Sequence, residues 1–347
     1  MIASWQQTLE ARGASIINGH VVDFGNAEFE RQQATLGPIV ADLSHLNLIQ
    51  FTGEEAQTFL QGQLSNDVRL LDGANTQYTS FNSPKGRMLA NGLLWQSAPS
   101  SYVLQLPHSL REAIQKHLSM FVMRAKVKVS DASDIWVKLG VGGRGAEAAL
   151  AQVLGDLALP ATVHGLVHSE WGSVLRLPED HYELLLAPDQ AQVIWEKLMP
   201  HAKPVGCTYW DALLIHAGIP TILPVTQEQF VAQMLNYELI GGINFKKGCY
   251  PGQEIVARTQ YLGKSKRRMY RAHLTGIDTP QPGDELFSAD FPDQATGMIV
   301  NAAPAPSGGF DVLAVLQISS AEAQTLHFKS IQGPTLELLA LPYAVPT

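Results

Sequence analysis

Cysteine is scarce in this sequence, with 2 residues in a chain of 347. A secreted scaffold held by disulfides needs several cysteine pairs, so the composition indicates a reducing compartment, and we expect a cytoplasmic protein. Basic residues are also outnumbered. The chain has 24 Lys and Arg against 32 Asp and Glu, so its net charge is −8. This balance excludes a chain that is basic throughout, but it leaves room for a local basic patch.

Long hydrophobic runs are missing too. No apolar stretch reaches the ~20 residues that cross a bilayer, and the N-terminus has no basic start followed by an apolar segment, so neither a membrane span nor a signal peptide is predicted. Hydrophobic residues still make up 46% of the chain, which is enough for a large buried core. At ~150 residues per domain, the length predicts two domains or three small ones.

A repeat runs through the first two thirds of the chain. A strand, a proline, a capping residue and an amphipathic helix follow one another at 102–118, and the same order returns at 182–198. We therefore predict two related α+β layers, each an antiparallel sheet with helices on one face. The alternative is that any strand–loop–helix unit looks like this.

After Gly263 the pattern changes to short strands separated by turns, which predicts a small all-β barrel. The predicted domains are a first α+β domain at 1–135, a second at 136–263 and the barrel at 264–347. The second domain ends in a glycine-rich loop, and the first two are free to interleave.

The most unusual segment is 241–254, where four glycines and a proline predict a specified loop. It places Cys249 just after Lys246 and Lys247. A nearby positive charge lowers the pKa of a thiol, and a helix starting at Gln253 would favour the thiolate further. The alternative is a tight loop with a small buried cysteine. Cys207, which precedes a helix pattern, is predicted to be structural.

The loop also carries a resemblance. Residues 247–254 read KGCYPGQE, which resembles the signature of the YgfZ family, folate-binding proteins akin to the glycine-cleavage T-protein, an aminomethyltransferase. The resemblance extends over about 36–270. Its other segments are ADLSH at 41–45, QGQLSNDV at 61–68, SPKGR at 83–87 and WDALLIHAG at 210–218.

The resemblance implies two ferredoxin-like or T-protein-type α+β layers and a C-terminal β-barrel around a central folate cavity. It also implies a folate-binding accessory protein that supports synthesis or repair of iron–sulfur proteins, particularly under oxidative stress, and iron–sulfur-dependent tRNA modification. Its partners would be tetrahydrofolate or a derivative and iron–sulfur client or assembly proteins. Two alternatives stay open, a folate-dependent one-carbon transferase on an unknown substrate and an RNA-binding tRNA-modification factor.

On this resemblance Cys249 is the candidate redox or transfer thiol. Carboxylates and amides match the donor–acceptor edge of a pterin, although the polar residues after the first helix would serve equally as caps and turns. The residues expected to hold folate are Asp42, Gln63, Asn66, Asp67, Lys85, Lys247, Tyr250, Gln253, Glu254 and Arg258.

The sequence departs from the T-protein at its acids. Ala90 and Asn91 stand where the T-protein loop is acidic, and His216 stands where it has Glu. Neither Ala90 nor Asn91 can ionise, so aminomethyl transfer is predicted to be absent and a classical enzyme is not expected. Two cysteines cannot supply four thiolates, and the histidines lack metal-site spacing, so neither a metal nor a permanently bound cluster is predicted.

One basic cluster stands out in this acidic chain. It consists of Lys264, Lys266, Arg267, Arg268 and Arg271. Such a cluster can contact RNA phosphates or the glutamate tail of a folate, and the simpler interpretation is a solvated linker. Contact with tRNA therefore stays open at this point.

Overall fold

The computed structural model describes residues 1–261, 263, 265–276, 279–291, 293–323 and 325–345; Lys264 of the basic cluster lies outside them. The described helices are α1 (Ala3–Glu10), α2 (Ala27–Leu36), α3 (Ala56–Gln61), α4 (His108–Val122), α5 (Ala146–Leu154), α6 (Pro188–Leu198), α7 (Cys207–His216), α8 (Gln253–Tyr261) and α9 (Ile318–Ala323).

Most of the chain between these helices is extended. The described strands are β1 (Ser15–Ile17), β2 (His20–Asp23), β3 (Ile39–Asp42), β4 (Leu46–Thr52), β5 (Thr76–Asn82), β6 (Met88–Ala98), β7 (Ser101–Pro107), β8 (Lys128–Asp131), β9 (Val137–Gly142), β10 (Leu166–Ser169), β11 (Gly172–Leu177), β12 (His181–Leu186), β13 (Lys203–Val205), β14 (Arg267–Leu274), β15 (Glu285–Ser288), β16 (Gly297–Pro304), β17 (Phe310–Gln317), β18 (Leu326–Phe328) and β19 (Leu336–Leu339).

The strands form two large layers and a C-terminal barrel. The first layer has the order β5-β6-β7-β4-β8 and is antiparallel. The second has the order β10-β11-β12-β9-β3-β13, antiparallel except for the parallel pair of β3 and β13. The six strands β18-β15-β16-β17-β14-β19 curl into a nearly closed barrel, in which β18 also bridges to Thr335 just before β19. The predicted α+β class with its barrel is confirmed.

The predicted repeat is confirmed in the topology. The first layer runs β4, α3, β5, β6, β7, α4, β8, and the second runs β9, α5, β10, β11, β12, α6, β13. Corresponding strands occupy corresponding places in the two sheets, except that β3 is inserted between β9 and β13. Tyr102 and Tyr182, which match in the repeat, are both fully buried.

Helix starts are where sequence patterns mislead. Thr52 resembles the first residue of a capping box, but it is the last residue of β4 and pairs with Ser101 across the sheet. Glu55 does not reach back to it, because its carboxylate accepts a hydrogen bond from the Lys126 amide at 2.6 Å. The helix α3 therefore begins at Ala56 without a side-chain cap.

The helix α7 ties the layers and the barrel together. Its Trp210 is fully buried against the second layer, where a Cβ on Gly140 would come within 2.5 Å of the Trp210 ring. The same hydrophobic cluster includes residues of the first layer and Leu313 and Val315 of the barrel. The two layers and the barrel therefore share one core around α7. In the described part of the chain, no helix has the length and apolar character to cross a membrane.

Candidate functional site

Lys247 fixes the loop that carries Cys249 to the first layer. Its buried ammonium donates hydrogen bonds to the carbonyl oxygens of Gln61, at 2.7 Å, and Leu64, at and just after the end of α3. It also lies 5.0 Å from the centre of the Tyr250 ring, a cation–π distance. Burial lowers the pKa of Lys247 to about 8. This lysine therefore serves as the internal anchor of the loop.

The loop meets the turn at 83–87 through two glycines. A Cβ atom on Gly252 would lie 2.5 Å from the Cα of Gly86, and one on Gly86 would lie 2.8 Å from the Cβ of Ile255. Both glycines have positive φ, +77° and +71°, where another residue would be strained. Two segments of the sequence signature thus pack directly on one another. The helix expected after the loop is confirmed, and it begins at Gln253.

Asn66 and Asp67 are buried in the segment that follows α3. The Asn66 amide donates to carbonyl oxygens on β5 and on the glycine-rich loop, at 2.8 and 2.7 Å. Asp67 accepts from the Arg69 guanidinium at 2.6 Å, and this bond holds the pKa of Asp67 at about 2. Both side chains have structural partners. The amide oxygen of Gln63, in contrast, is buried with no partner among the described residues.

A separate cavity of about 60 Å³ lies where the two layers meet the segment after α7. We call it the central cavity. Its polar lining comprises Tyr78, Asn91, Gln105, Glu183 and Thr221. The Tyr78 hydroxyl, both amide atoms of Gln105 and one oxygen of Glu183 are buried without a partner among the described residues. Since buried polar groups are normally paired, these four atoms are available to a polar ligand.

Glu183 is the carboxylic acid among these groups. It is only 3% exposed, and burial raises its pKa to about 7. The neighbouring Gln105 side chain opposes this rise most, and the positive charges of His45 and Lys138 oppose it further. Near neutral pH the carboxyl is therefore accessible in both its protonated and its ionised form, and it can either accept a hydrogen bond or donate one. That choice suits a ligand with both donors and acceptors on one edge.

A larger cavity of about 220 Å³ adjoins the central cavity and reaches the barrel at Asn301. We call it the outer cavity, and both cavities touch Leu214 and Ile219. Its polar side carries three histidines, His20, His45 and His108. Burial lowers the pKa of His20. Burial also lowers the pKa of His45, but Asp211, 3.2 Å from its ring, together with Asp42 and Glu183 outweighs burial, and the net shift is upward.

The structure separates the predicted folate-binding residues from these cavities. None of the ten is among the lining residues of the central or the outer cavity. Lys85, Glu254 and Arg258 are exposed, whereas Asp42 is buried and accepts a hydrogen bond from Trp5 at 2.8 Å. The part of the ten in folate binding stays a prediction. Gln105 and Glu183, which do line the central cavity, were missed by the sequence reasoning.

The residues that stand in place of the T-protein acids make structural contacts in this protein. The Asn91 side chain donates to the Pro220 carbonyl at 2.7 Å and accepts from the Ile222 amide at 2.8 Å, so it holds the segment after α7 against β6. His216 lies outside both cavities and forms a 2.6 Å contact with Asp311 of the barrel. Both substitutions therefore join parts of the fold.

The two cysteines differ in exposure. Cys249 is exposed on its loop, whereas Cys207 is buried at the start of α7, where burial raises its pKa to about 12. Among the described residues, no group of three or more His, Cys, Asp and Glu side chains could hold a metal ion. The loop cysteine is thus the accessible thiol of this structure, and its chemical role stays a prediction.

Comparison with known proteins finds a matching family model and similar relatives. A family model described as the GCVT N-terminal domain matches residues 21–213. The tRNA-modifying protein YgfZ of Sodalis glossinidius (strain morsitans) is 30% identical over 301 residues, which cover 86% of this chain and 90% of that protein. The tRNA-modifying protein YgfZ of Yersinia pseudotuberculosis serotype IB (strain PB1/+) matches with the same identity and coverage.

A solved structure has the same fold. The glycine cleavage system aminomethyltransferase T from Bartonella henselae aligns with a TM-score of 0.79 over 99% of this chain and 97% of its own. Its sequence identity is 18%, so the likeness concerns the fold alone.

Proposed function

Since the chain belongs to the YgfZ family and has the fold of the glycine-cleavage aminomethyltransferases, we propose that it is a folate-binding accessory protein. Its relatives are named for tRNA modification, and we extend that role to this chain. In the proposal it binds tetrahydrofolate or a derivative and supports synthesis or repair of iron–sulfur proteins, among them those that modify tRNA. Cys249 acts as its redox or transfer thiol.

The observation that carries the folate proposal is the set of unpaired polar atoms in the central cavity. A pterin ring offers alternating donors and acceptors along one edge, and Glu183 and Gln105 together present both kinds. The Tyr78 hydroxyl adds a group that can donate or accept. At about 60 Å³ the central cavity takes only that edge, so the rest of the ligand would extend into the outer cavity of about 220 Å³. The donor set therefore fits a folate.

Calorimetry with tetrahydrofolate tests this site. We expect the wild-type chain to bind with a Kd near ~10⁻⁶ M, about 8 kcal/mol, as is usual for a preformed pocket. Glu183→Gln removes the ionisable acceptor and should weaken binding about tenfold or more. Glu170→Gln, on an exposed carboxylate in the turn between β10 and β11, is the matched control and should bind like wild type. Absence of heat and of a thermal shift at millimolar folate would remove the proposal.

The thiol proposal rests on the exposure of Cys249. A strain that lacks its own family member is complemented with wild type, Cys249→Ala or Cys207→Ala, and iron–sulfur enzyme activity and tRNA modification are measured. Cys249→Ala should give weak complementation at normal protein level, whereas Cys207→Ala should complement if it folds. Full complementation by Cys249→Ala would move the functional weight to the central cavity.

The alternative of aminomethyl transfer is disfavoured by Asn91. Its amide already bridges Pro220 and Ile222 and cannot ionise. We expect no transfer from a loaded lipoyl carrier to tetrahydrofolate, and none after Asn91→Asp. Measurable transfer by the wild-type chain would reinstate the one-carbon transferase.

A further inference from the structure

The charge of this chain is distributed unevenly. Residues 241–271 contain eight Lys and Arg and one acidic residue, Glu254, which gives this segment a net charge of +7. The whole chain carries −8, so the rest of it carries −15. A segment whose net charge is opposite in sign to that of the rest of the chain is a recognised indicator of a binding surface.

Packing brings further cations to this segment. The contact of Gly252 with Gly86 places Lys85 and Arg87 beside the start of α8. The Phe245 and Tyr261 rings, 6.0 Å apart, join the Cys249 loop to the end of α8. We define the basic face by its exposed cations, which are Lys85, Arg87, Lys246, Arg258, Lys266 and Arg267.

The cations of the basic face are uncommitted. In the part of the chain that the structure describes, none of the six forms an ion pair with a carboxylate, whereas Arg268 nearby is paired with Glu238. Arg87 donates only to the backbone carbonyls of Glu228 and Gln229. Glu254 and Glu228 are the exposed carboxylates on these segments. The face therefore retains a clear excess of positive charge.

The chemistry of the face favours a nucleic acid over an acidic protein. The helix α8 spans about 12 Å from Gln253 to Tyr261, so it is long enough to lie beside more than one phosphate of a strand. At its end Tyr261 is 68% exposed, three residues after Arg258, and its ring lies 6.0 Å from that of Phe245, the residue before Lys246. An exposed aromatic side chain between cations is the arrangement on which single-stranded bases stack.

We propose that the basic face binds the phosphate backbone of an RNA strand, with a base stacked on Tyr261. Cys249 is exposed on the loop that carries Lys246, so bound RNA would lie beside this thiol. The proposal names the partner surface of the tRNA-related role and rests on the proposed function for the identity of the RNA.

Fluorescence anisotropy with a labelled tRNA transcript tests the proposal. Lys246→Glu combined with Lys266→Glu should weaken binding at least tenfold and reduce the slope of log K against log salt by about 2. The matched control is Lys197→Glu with Lys203→Glu, two exposed cations of the second layer with the same change of net charge; it should stay within about twofold of wild type. Tyr261→Ala should lose about tenfold without changing the salt slope.

Three results would overturn the proposal. The first is a wild-type chain that does not bind tRNA at low salt. The second is equal loss in the basic-face variant and in the control, which would reduce the effect to net charge. The third is displacement of tRNA by an acidic peptide or polyglutamate of equal charge at equal concentration, which would assign the face to a protein or to a folate tail.

Folate calorimetry on the same variants separates this proposal from the proposed function. The basic face lies apart from the residues that line the central cavity, so all three variants should bind folate like wild type. Normal folate binding without tRNA binding would refute the RNA surface alone. Loss of folate binding by wild type would refute the folate site and leave the RNA test standing.

Discussion

The contact between Gly252 and Gly86 allows a graded test of what holds the Cys249 loop. Three glycines of this loop differ in a controlled way. Gly248 has no atom within 4 Å of an added Cβ and is not in the left-handed region. Gly241 has φ +78° but also has open space around it. Gly252 combines φ +77° with the close approach to Gly86 at 2.5 Å. Alanine at Gly248 therefore tests neither backbone strain nor close packing. Alanine at Gly241 tests backbone strain alone, and alanine at Gly252 tests both.

The expected magnitudes follow from these differences. Gly248→Ala should change the free energy of unfolding by no more than about 0.5 kcal/mol. Gly241→Ala adds the cost of a left-handed alanine, about 1 kcal/mol. Gly252→Ala adds overpacking of ~1–3 kcal/mol to that cost, so we expect about 3 kcal/mol in total. The added Cβ meets backbone atoms of Gly86 and Ser83, which cannot turn aside as a flexible side chain can.

Urea unfolding followed by tryptophan fluorescence gives the global free energy, and the alkylation rate of Cys249 reports on local opening of the loop. The second readout is needed because a loop can open without global unfolding, which limits the global effect. The predicted order of destabilisation is Gly252→Ala, then Gly241→Ala, then Gly248→Ala. If Gly252→Ala matched Gly248→Ala in both readouts, the packing of the loop on the turn would not stabilise it.

Three further outcomes are expected. Lys247→Met leaves two buried carbonyl oxygens unpaired and should destabilise the loop by ~1–3 kcal/mol, whereas exposed Lys246→Met should stay within about 0.5 kcal/mol in urea unfolding. The carboxyl of Glu183 keeps its proton to about pH 7 when folded but loses it near 4.5 when unfolded, so its contribution to stability falls as pH rises between these values. The free energy of unfolding of Glu183→Gln relative to wild type should therefore rise by up to about 3 kcal/mol between pH 4 and pH 8, as measured by urea unfolding. A difference between the two proteins that does not change with pH would refute the buried ionisation. Limited alkylation of the native chain should label exposed Cys249 before buried Cys207, as read by mass spectrometry of the peptides, and equal rates would contradict the structure.

Much of the fold was accessible from the sequence because local pattern and tertiary environment agree. The strand and helix predicted at 102–118 correspond to β7 and α4, and those predicted at 182–198 correspond to β12 and α6. The insertion of β3 between β9 and β13 was not predicted, since residues far apart in the chain decide that pairing. Local pattern alone misplaces the start of α3, because Thr52 has the right chemistry for a helix cap but is held in a sheet.

The loop of the candidate site was predictable and the central cavity was not. Glycines and Cys249 form a contiguous signature, so the sequence alone singled them out. Gln105 and Glu183 belong to different layers, and only the packing of the two sheets brings them to one cavity. A signal did exist, because each is a polar residue within a largely apolar strand, and both strands are buried along their whole length. A polar residue within such a strand either has a buried partner or awaits a ligand.

The place of β3 also bears on how the chain is synthesised. Residues Ile39–Asp42 leave the ribosome early, yet they pair with β9, about 100 residues later, and with β13, about 160 residues later. At a translation rate of ~5–20 residues per second, β9 is synthesised roughly 5–20 seconds after β3, and β13 is synthesised later still. During that time its backbone edge is open to other nascent chains. A chain shortened at its N-terminus would leave the edges of β9 and β13 unpaired in their turn, so aggregation is the expected outcome of removing the first 45 residues.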